Sequence, residues 1–237
     1  MTIVTRRVDY MDQGTALRGR VYFDDSSSAP RPGVLVSHAW GGRDDFANQQ
    51  AENMAKLGYV GFALDMYGAG IRANGVKECQ ALMTPFMEDR ALLASRINAA
   101  LSTARSLPEV DAARVAAFGF CFGGLCVLDL ARSGADVKGV VSFHGLLKGH
   151  DLPKQTITAK ALVLHGDADP LAPFEDVIAF RNEFNAAGSD WQLHAYGKIL
   201  HAFAVPGANM PGIAAHDAVA EARSQATLRN FLAEVLA

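Results

Sequence analysis

RVAAFGFCFGGLCVLDLARSG, residues 114–134, is the stretch whose reading decides the fold. Its first seven residues are nearly all apolar, as in a strand buried on both faces. FGGLCVLDLARSG then reads as a helix ending near Gly134. Cys121 falls at the junction, with Gly119 and Gly123 two residues to either side. G-x-C-x-G in that context is the cysteine version of the G-x-S-x-G nucleophile elbow, a sharp turn that lifts a nucleophile out of the sheet. A Cβ at 119 or 123 would collide with neighbouring elements. The turn sets Cys121 at a helix N-terminus, where the dipole favours a thiolate. The next backbone N–H, that of Phe122, points where an oxyanion would form. A small buried residue at a tight turn is the alternative, and it suits Cys79 and Cys126 better.

Strand and helix patterns alternate outward from the elbow. VLVSH (34–38), YVGFALD (59–65), KGVVSFH (138–144) and AKALVLHG (159–166) read as further buried strands, with VYF (21–23) and WQLHAY (191–196) beside them. Helices are expected over 84–108, opened by Thr84 as N-cap and Pro85 at the first position, over 173–188, and over about 213–236. This alternation implies an α/β fold, a doubly wound and mostly parallel sheet with helices on both faces. The chain has 237 residues. At about 100–200 residues per domain it fits one large domain or two small ones, and one sheet can use all of it, so a single domain over 1–237 is expected.

Composition narrows the function. Half of the residues are hydrophobic and a fifth are charged, with a net charge of −3 and no long basic run. Nucleic acid and acidic membrane surfaces are therefore poor partners. MTIVTRRVDYMDQG has no apolar run of signal-peptide length, and no stretch approaches the ~20 apolar residues that span a bilayer. Three cysteines without CxxC or zinc spacing suit a reducing cytoplasm. Neither a metal site, a dinucleotide fingerprint nor a P-loop is present, so no metal or cofactor is expected. The polar stretch DDSSSAPRPG (24–33) reads as a surface turn.

A nucleophile elbow calls for an acid and then a histidine, each on a loop after a later strand. Asp169, in HGDADP, and His201, in YGKILHAF, stand in that order. Asp167 is the rival acid, better suited to shaping the turn. His194 lies inside a strand, and His150 and His216 read as surface residues. His38, His144 and His165 sit at strand C-terminal ends, the active edge of an open α/β sheet. In SHAWGG (37–42), Ala39 N–H is the candidate second oxyanion donor and Trp40 a pocket wall or a core residue. Tyr67, Phe86, Phe122 and His144 complete the expected wall.

The GFCFGG elbow, the HGDADP loop and the late HAF together resemble the dienelactone hydrolase family over nearly the whole chain. The resemblance implies an α/β-hydrolase domain without a large cap. It implies Cys121, His201 and Asp169 as a triad, with the Phe122 and Ala39 N–H groups as oxyanion hole. Two positions depart from the founding enzymes. His38 stands where they place a glutamate that partners the resting thiol. Val205 stands where they place an arginine, four residues after the histidine, that grips a substrate carboxylate. Arg72, in GAGIRANG, is a loose counterpart of their second carboxylate-binding arginine. Without the guanidinium clamp, neutral esters or lactones are the expected substrates. Without the glutamate, Cys121 is expected to ionise more readily beside His201. Activated neutral phosphotriesters are an expected side substrate. The competing reading is a redox protein with Cys121 as a peroxide-sensing or peroxidatic thiol. Monomer and homodimer both stay open.

Overall fold

The computed structural model describes residues 2–26 and 28–237. Met1, in the N-terminal stretch read above, and Ser27, in the 24–33 turn, lie outside the described residues. The chain divides into two compact units, Met1–Phe118 and Gly119–Ala237.

The first unit opens with a hairpin, β1 (Ile3–Asp12) and β2 (Thr15–Asp24), paired antiparallel in register from Ile3↔Asp24 to Asp12↔Thr15. In β1, Val8, Tyr10 and Asp12 are buried while the residues between them are exposed, the period-2 pattern of a one-sided strand. The unit continues through β3 (Arg31–Ser37), α1 (Asp45–Lys56) and β4 (Val60–Ala63). Next come α2 (Val76–Glu88), α3 (Arg90–Arg105) and β5 (Val110–Phe120), whose last two residues enter the second unit. The strand order is β1-β2-β4-β3-β5. β3 and β4 run parallel, and Val34, Leu35, Val36 and Phe62 are buried, as the apolar runs require.

The second unit holds α4 (Phe122–Arg132), β6 (Gly139–Phe143), β7 (Lys160–Gly166), α5 (Phe174–Ala186) and β8 (Trp191–Tyr196). A short hairpin, β9 (Asn209–Met210) with β10 (Ala214–Ala215), precedes α6 (Ala218–Val235). β6, β7 and β8 are parallel neighbours in that order. Arg132, its side chain almost wholly buried, ties α4 to α5: Nε and Nη2 donate to Glu183 and Nη1 donates to Asp129. Among the described residues, no helix is long and apolar enough to cross a membrane.

Two helix boundaries differ from those expected of the sequence. The helix expected over 84–108 is two helices broken at Asp89, whose extended backbone ends α2 and whose side chain accepts from Leu92 N–H at 2.9 Å to cap α3. Thr84 and Pro85 lie inside α2 rather than opening a helix. The run before them, VKECQALM, is itself helical and starts after Gly75. The last helix begins at Ala218, not 213, because Asp217 caps it by accepting from Ala220 N–H at 2.8 Å. The preceding residues form the β9–β10 hairpin.

Candidate active site

Cys121 leaves β5 with φ 55° and ψ −116°, a combination that L residues rarely adopt. The surrounding backbone holds it there. Its N–H donates to Phe143 O at 3.0 Å, and its carbonyl accepts from Gly124 N–H at 3.0 Å and Leu125 N–H at 3.3 Å. A Cβ on Gly119 would overlap the Gly123 carbonyl. A Cβ on Gly124 would stand 2.6 Å from Ser142 Oγ and 2.8 Å from Gly145 Cα. Gly124, which the sequence did not single out, is thus as tightly placed as Gly119; its place inside GFCFGG was the available signal. Cys121 is the N-cap of α4, half-buried and without a side-chain capping bond. Phe122 takes the first helical position, whose N–H points out of the positive end of the helix.

His201 and Asp169 meet on the loops after β8 and β7. His201 Nδ1 lies 2.7 Å from Asp169 Oδ2. A carboxylate only accepts, so Nδ1 carries the proton and donates it. The other carboxylate oxygen accepts from Leu171 N–H at 2.8 Å, which fixes the acid. Asp167 is exposed and Asp169 buried, so the turn presents only the latter to the histidine. His194, on β8, is exposed. The His201 backbone is held from both sides: its N–H donates to Ile213 O at 3.2 Å and its carbonyl accepts from Ala215 N–H at 3.0 Å. The β9–β10 hairpin, which the sequence pattern did not announce, therefore fixes the height of the imidazole. Burial works against a charge on His201. The bond to Asp169 and the neighbouring Cys121 thiol outweigh it, and the imidazolium is favoured up to about 10.

Two more histidines of the second unit are buried near this group. The His144 ring stands edge-on to His201, with centroids 5.1 Å apart, and touches Phe203 and Phe120 at 5.2 and 5.8 Å. Among the described residues, neither of its ring nitrogens has a hydrogen-bond partner. Burial first, and the charge of His201 second, push it well below the usual imidazole range. His165, at the end of β7, is lowered by burial.

The remaining candidates belong to the first unit. His38 is buried just past β3; Nδ1 donates to Ala39 O at 2.6 Å and Nε2 accepts from Met66 N–H at 3.2 Å. Both ring nitrogens are thus spent on backbone, and burial lowers its pKa. Ala39 O also accepts from Gly42 N–H, which closes the turn. Tyr67 donates its hydroxyl to Trp40 O at 2.8 Å and packs on His38 and Phe86, with centroids 4.9 and 5.6 Å away. Arg72 donates to Arg43 O and to Asp45, so its guanidinium braces the 41–45 loop. Beneath these residues lies Asp65, a residue the sequence did not mark as a candidate. Its fully buried carboxylate accepts from the N–H groups of Arg18, Tyr67, Gly68 and Gly70. The DMYGAG turn, rich in glycine after an aspartate, was the signal for it.

Comparison with known proteins agrees with this architecture. A structure of a dienelactone hydrolase-like promiscuous phosphotriesterase from metagenomic libraries superposes over 100% of both chains, with a TM-score of 0.93 and 37% identity. An uncharacterised protein of Caenorhabditis elegans is 40% identical over 152 residues, which cover 61% of this chain and 95% of that one. A putative carboxymethylenebutenolidase of Methylorubrum extorquens is 26% identical over 189 residues, 75% of this chain and 65% of its own. The fold is that of the α/β-hydrolases, and the dienelactone hydrolase family model matches residues 17–236. With its whole length aligned to such a structure and all but its ends matched by that model, the chain belongs to the dienelactone hydrolase family and is a hydrolase.

Proposed function

We propose that this hydrolase cleaves neutral esters or lactones through a covalent thioester on Cys121. One observation carries the reading: His201 Nδ1 is bound to Asp169 at 2.7 Å, which leaves Nε2 for the thiol proton of Cys121 on the strained elbow. His201 holds the thiol proton as imidazolium, and the Cys121 thiolate sulfur bonds to the ester carbonyl carbon. The carbonyl electron pair moves to oxygen, where the Phe122 N–H group stabilises it, at about 2.7–4 kcal/mol for such a donor. Collapse breaks the ester C–O bond, and His201 returns its proton to the leaving alkoxide. His201 then takes a proton from water, whose oxygen attacks the thioester and releases the acid and the thiolate. Asp169 holds the imidazole in its tautomer and stabilises its cation throughout.

Neutral substrates are favoured because Val205 supplies no guanidinium and Arg72 is engaged within its own loop. Activated neutral phosphotriesters are a side substrate, since thiolate attack at phosphorus again places negative charge on an oxygen. The relative that shares 37% of the sequence is described as a promiscuous phosphotriesterase, which supports this extension. The sparse cysteines suit a reducing, cytoplasmic setting. A redox role for Cys121 has weaker support, because Cys79 and Cys126 are both buried, which disfavours either as a resolving thiol.

The test is intact mass after mixing with an activated neutral aryl ester. The wild type should show a transient acyl adduct and a burst of phenol, and Cys121→Ala neither. No adduct and no turnover across several neutral esters and lactones would overturn the reading. Absence of Cys121-dependent release from aryl phosphotriesters would remove the side activity alone.

A further inference from the structure

His144 combines features that packing does not require. It has φ 37°, a left-handed conformation disfavoured for a residue with a Cβ. Its imidazole is fully buried, yet neither nitrogen bonds another of the described residues. Buried polar side chains nearly always find one, and a phenyl ring would fill the site without desolvating two polar atoms. The ring is nonetheless held firmly. His144 N–H donates to Leu164 O at 2.8 Å, and the next residue, Gly145, abuts Gly124 at the start of the elbow helix. Two of the rings against it, Phe120 and Phe203, offer no hydrogen bond. The third is His201. The contact with His201 sets the imidazole beside the histidine to which water must come.

We propose that His144 is a positioning residue for thioester hydrolysis, holding by a hydrogen bond the water that His201 activates. This rests on the covalent reading above. In the step, the water oxygen bonds to the acyl carbon and its proton passes to Nε2 of His201. The carbonyl pair moves to oxygen and returns as the C–S bond breaks, which releases the acid and leaves Cys121 as thiolate. His144 ends the step unchanged. Its neutral state suits this role, since one nitrogen donates, the other accepts, and neither competes with His201 for the proton. Acylation needs no water, so His144 serves only the second half of the cycle.

The experiment compares wild type, Cys121→Ala, His144→Phe and His144→Gln on an activated aryl acetate. It follows the phenol burst, steady-state turnover and intact mass, with and without hydroxylamine. His144→Phe should keep the burst, lose about tenfold in turnover, the scale of one hydrogen bond, and accumulate acyl-enzyme. Hydroxylamine, a strong nucleophile that does not depend on a positioned water, should restore its turnover. His144→Gln, with donor and acceptor retained, should recover part of the loss and covers the case in which the phenyl variant does not fold. Burst and turnover falling together, neither changing, or Gln behaving like Phe would each overturn the assignment. A wild type without any Cys121-dependent adduct would overturn the covalent reading itself, a result distinct from these and one that takes this proposal with it.

Discussion

Gly166 abuts Ile199 so closely that a Cβ at position 166 would stand 2.5 Å from the Ile199 carbonyl oxygen and 2.7 Å from that of Leu200. This approach brings the loop after β8 down onto the end of β7, and Ala168 N–H then donates to Ile199 O at 3.0 Å. Asp169 and His201 reach each other because of it. Gly166→Ala should push the loops apart, cost about 1–3 kcal/mol of stability as overpacking does, and lower kcat/KM by more than the stability loss explains. Urea unfolding and ester kinetics on the same sample check this. A variant with normal kinetics would show that the glycine contact does not set the His201–Asp169 geometry.

Asp169→Asn keeps the shape but offers an amide to Nδ1, so the wrong tautomer is stabilised. Turnover of a neutral aryl ester should fall roughly 10²–10⁴-fold, as for other triads of this kind. A linked effect appears in stability. His201 is favoured as a cation from its ordinary 6.5 up to about 10, so folding takes up a proton there. That contribution is complete below pH 6.5, shrinks as pH rises, and is gone above about 10. The wild-type urea midpoint should therefore decline across that window, and Asp169→Asn should flatten the decline. Equal slopes in the two proteins would contradict the assigned cause.

What could be read from the chain follows from how local each feature is. The elbow is a single contiguous strand–turn–helix, and GFCFGG states it directly. The pairing of Asp169 with His201 is legible because both fall where a strand pattern ends. The break at Asp89 was not legible, because Thr84-Pro85 also forms an acceptable helix start and local propensity cannot choose between the two. β1 was missed because its one-sided burial is short, with exposed Arg6 and Arg7 before Val8 and an aspartate, Asp12, among the inward residues, and only pairing with β2 makes it a strand. The hairpin that seats His201 is two short strands of small residues with little pattern of their own.

Asp65 shows the same limit and carries its own prediction. Its four donors include Arg18 N–H, which comes from β2, far away in sequence. No local motif announces that bond. Asp65→Ala leaves four inward-pointing N–H groups without their acceptor and should cost at least about 3 kcal/mol. Asp65→Asn, with one oxygen left to accept, should cost less. Urea unfolding of both variants checks the order. If Ala were no worse than Asn, the carboxylate would not be the organiser of the 65–70 turn.

On the proposed reading, Val205 sets the preference for neutral substrates. It is half-buried in the turn closed by its own N–H to Ala202 O at 3.0 Å, four residues from His201 in sequence. An apolar side chain there cannot offset the desolvation of an anionic substrate, so the wild type should hydrolyse a neutral aryl ester with higher kcat/KM than its carboxylate-bearing analogue. Val205→Arg supplies a planar donor fork for that carboxylate, an interaction of about 1.5–3 kcal/mol. The ratio of the two kcat/KM values should then move about 10–100-fold toward the anionic ester, mostly through KM, because the carboxylate is held equally before and during the reaction. Raising salt should shrink the gain, as it does for exposed charge pairs. A wild type that already prefers the anionic ester would place the carboxylate grip elsewhere in the pocket. A ratio unmoved by arginine would show that position 205 does not face the acyl group.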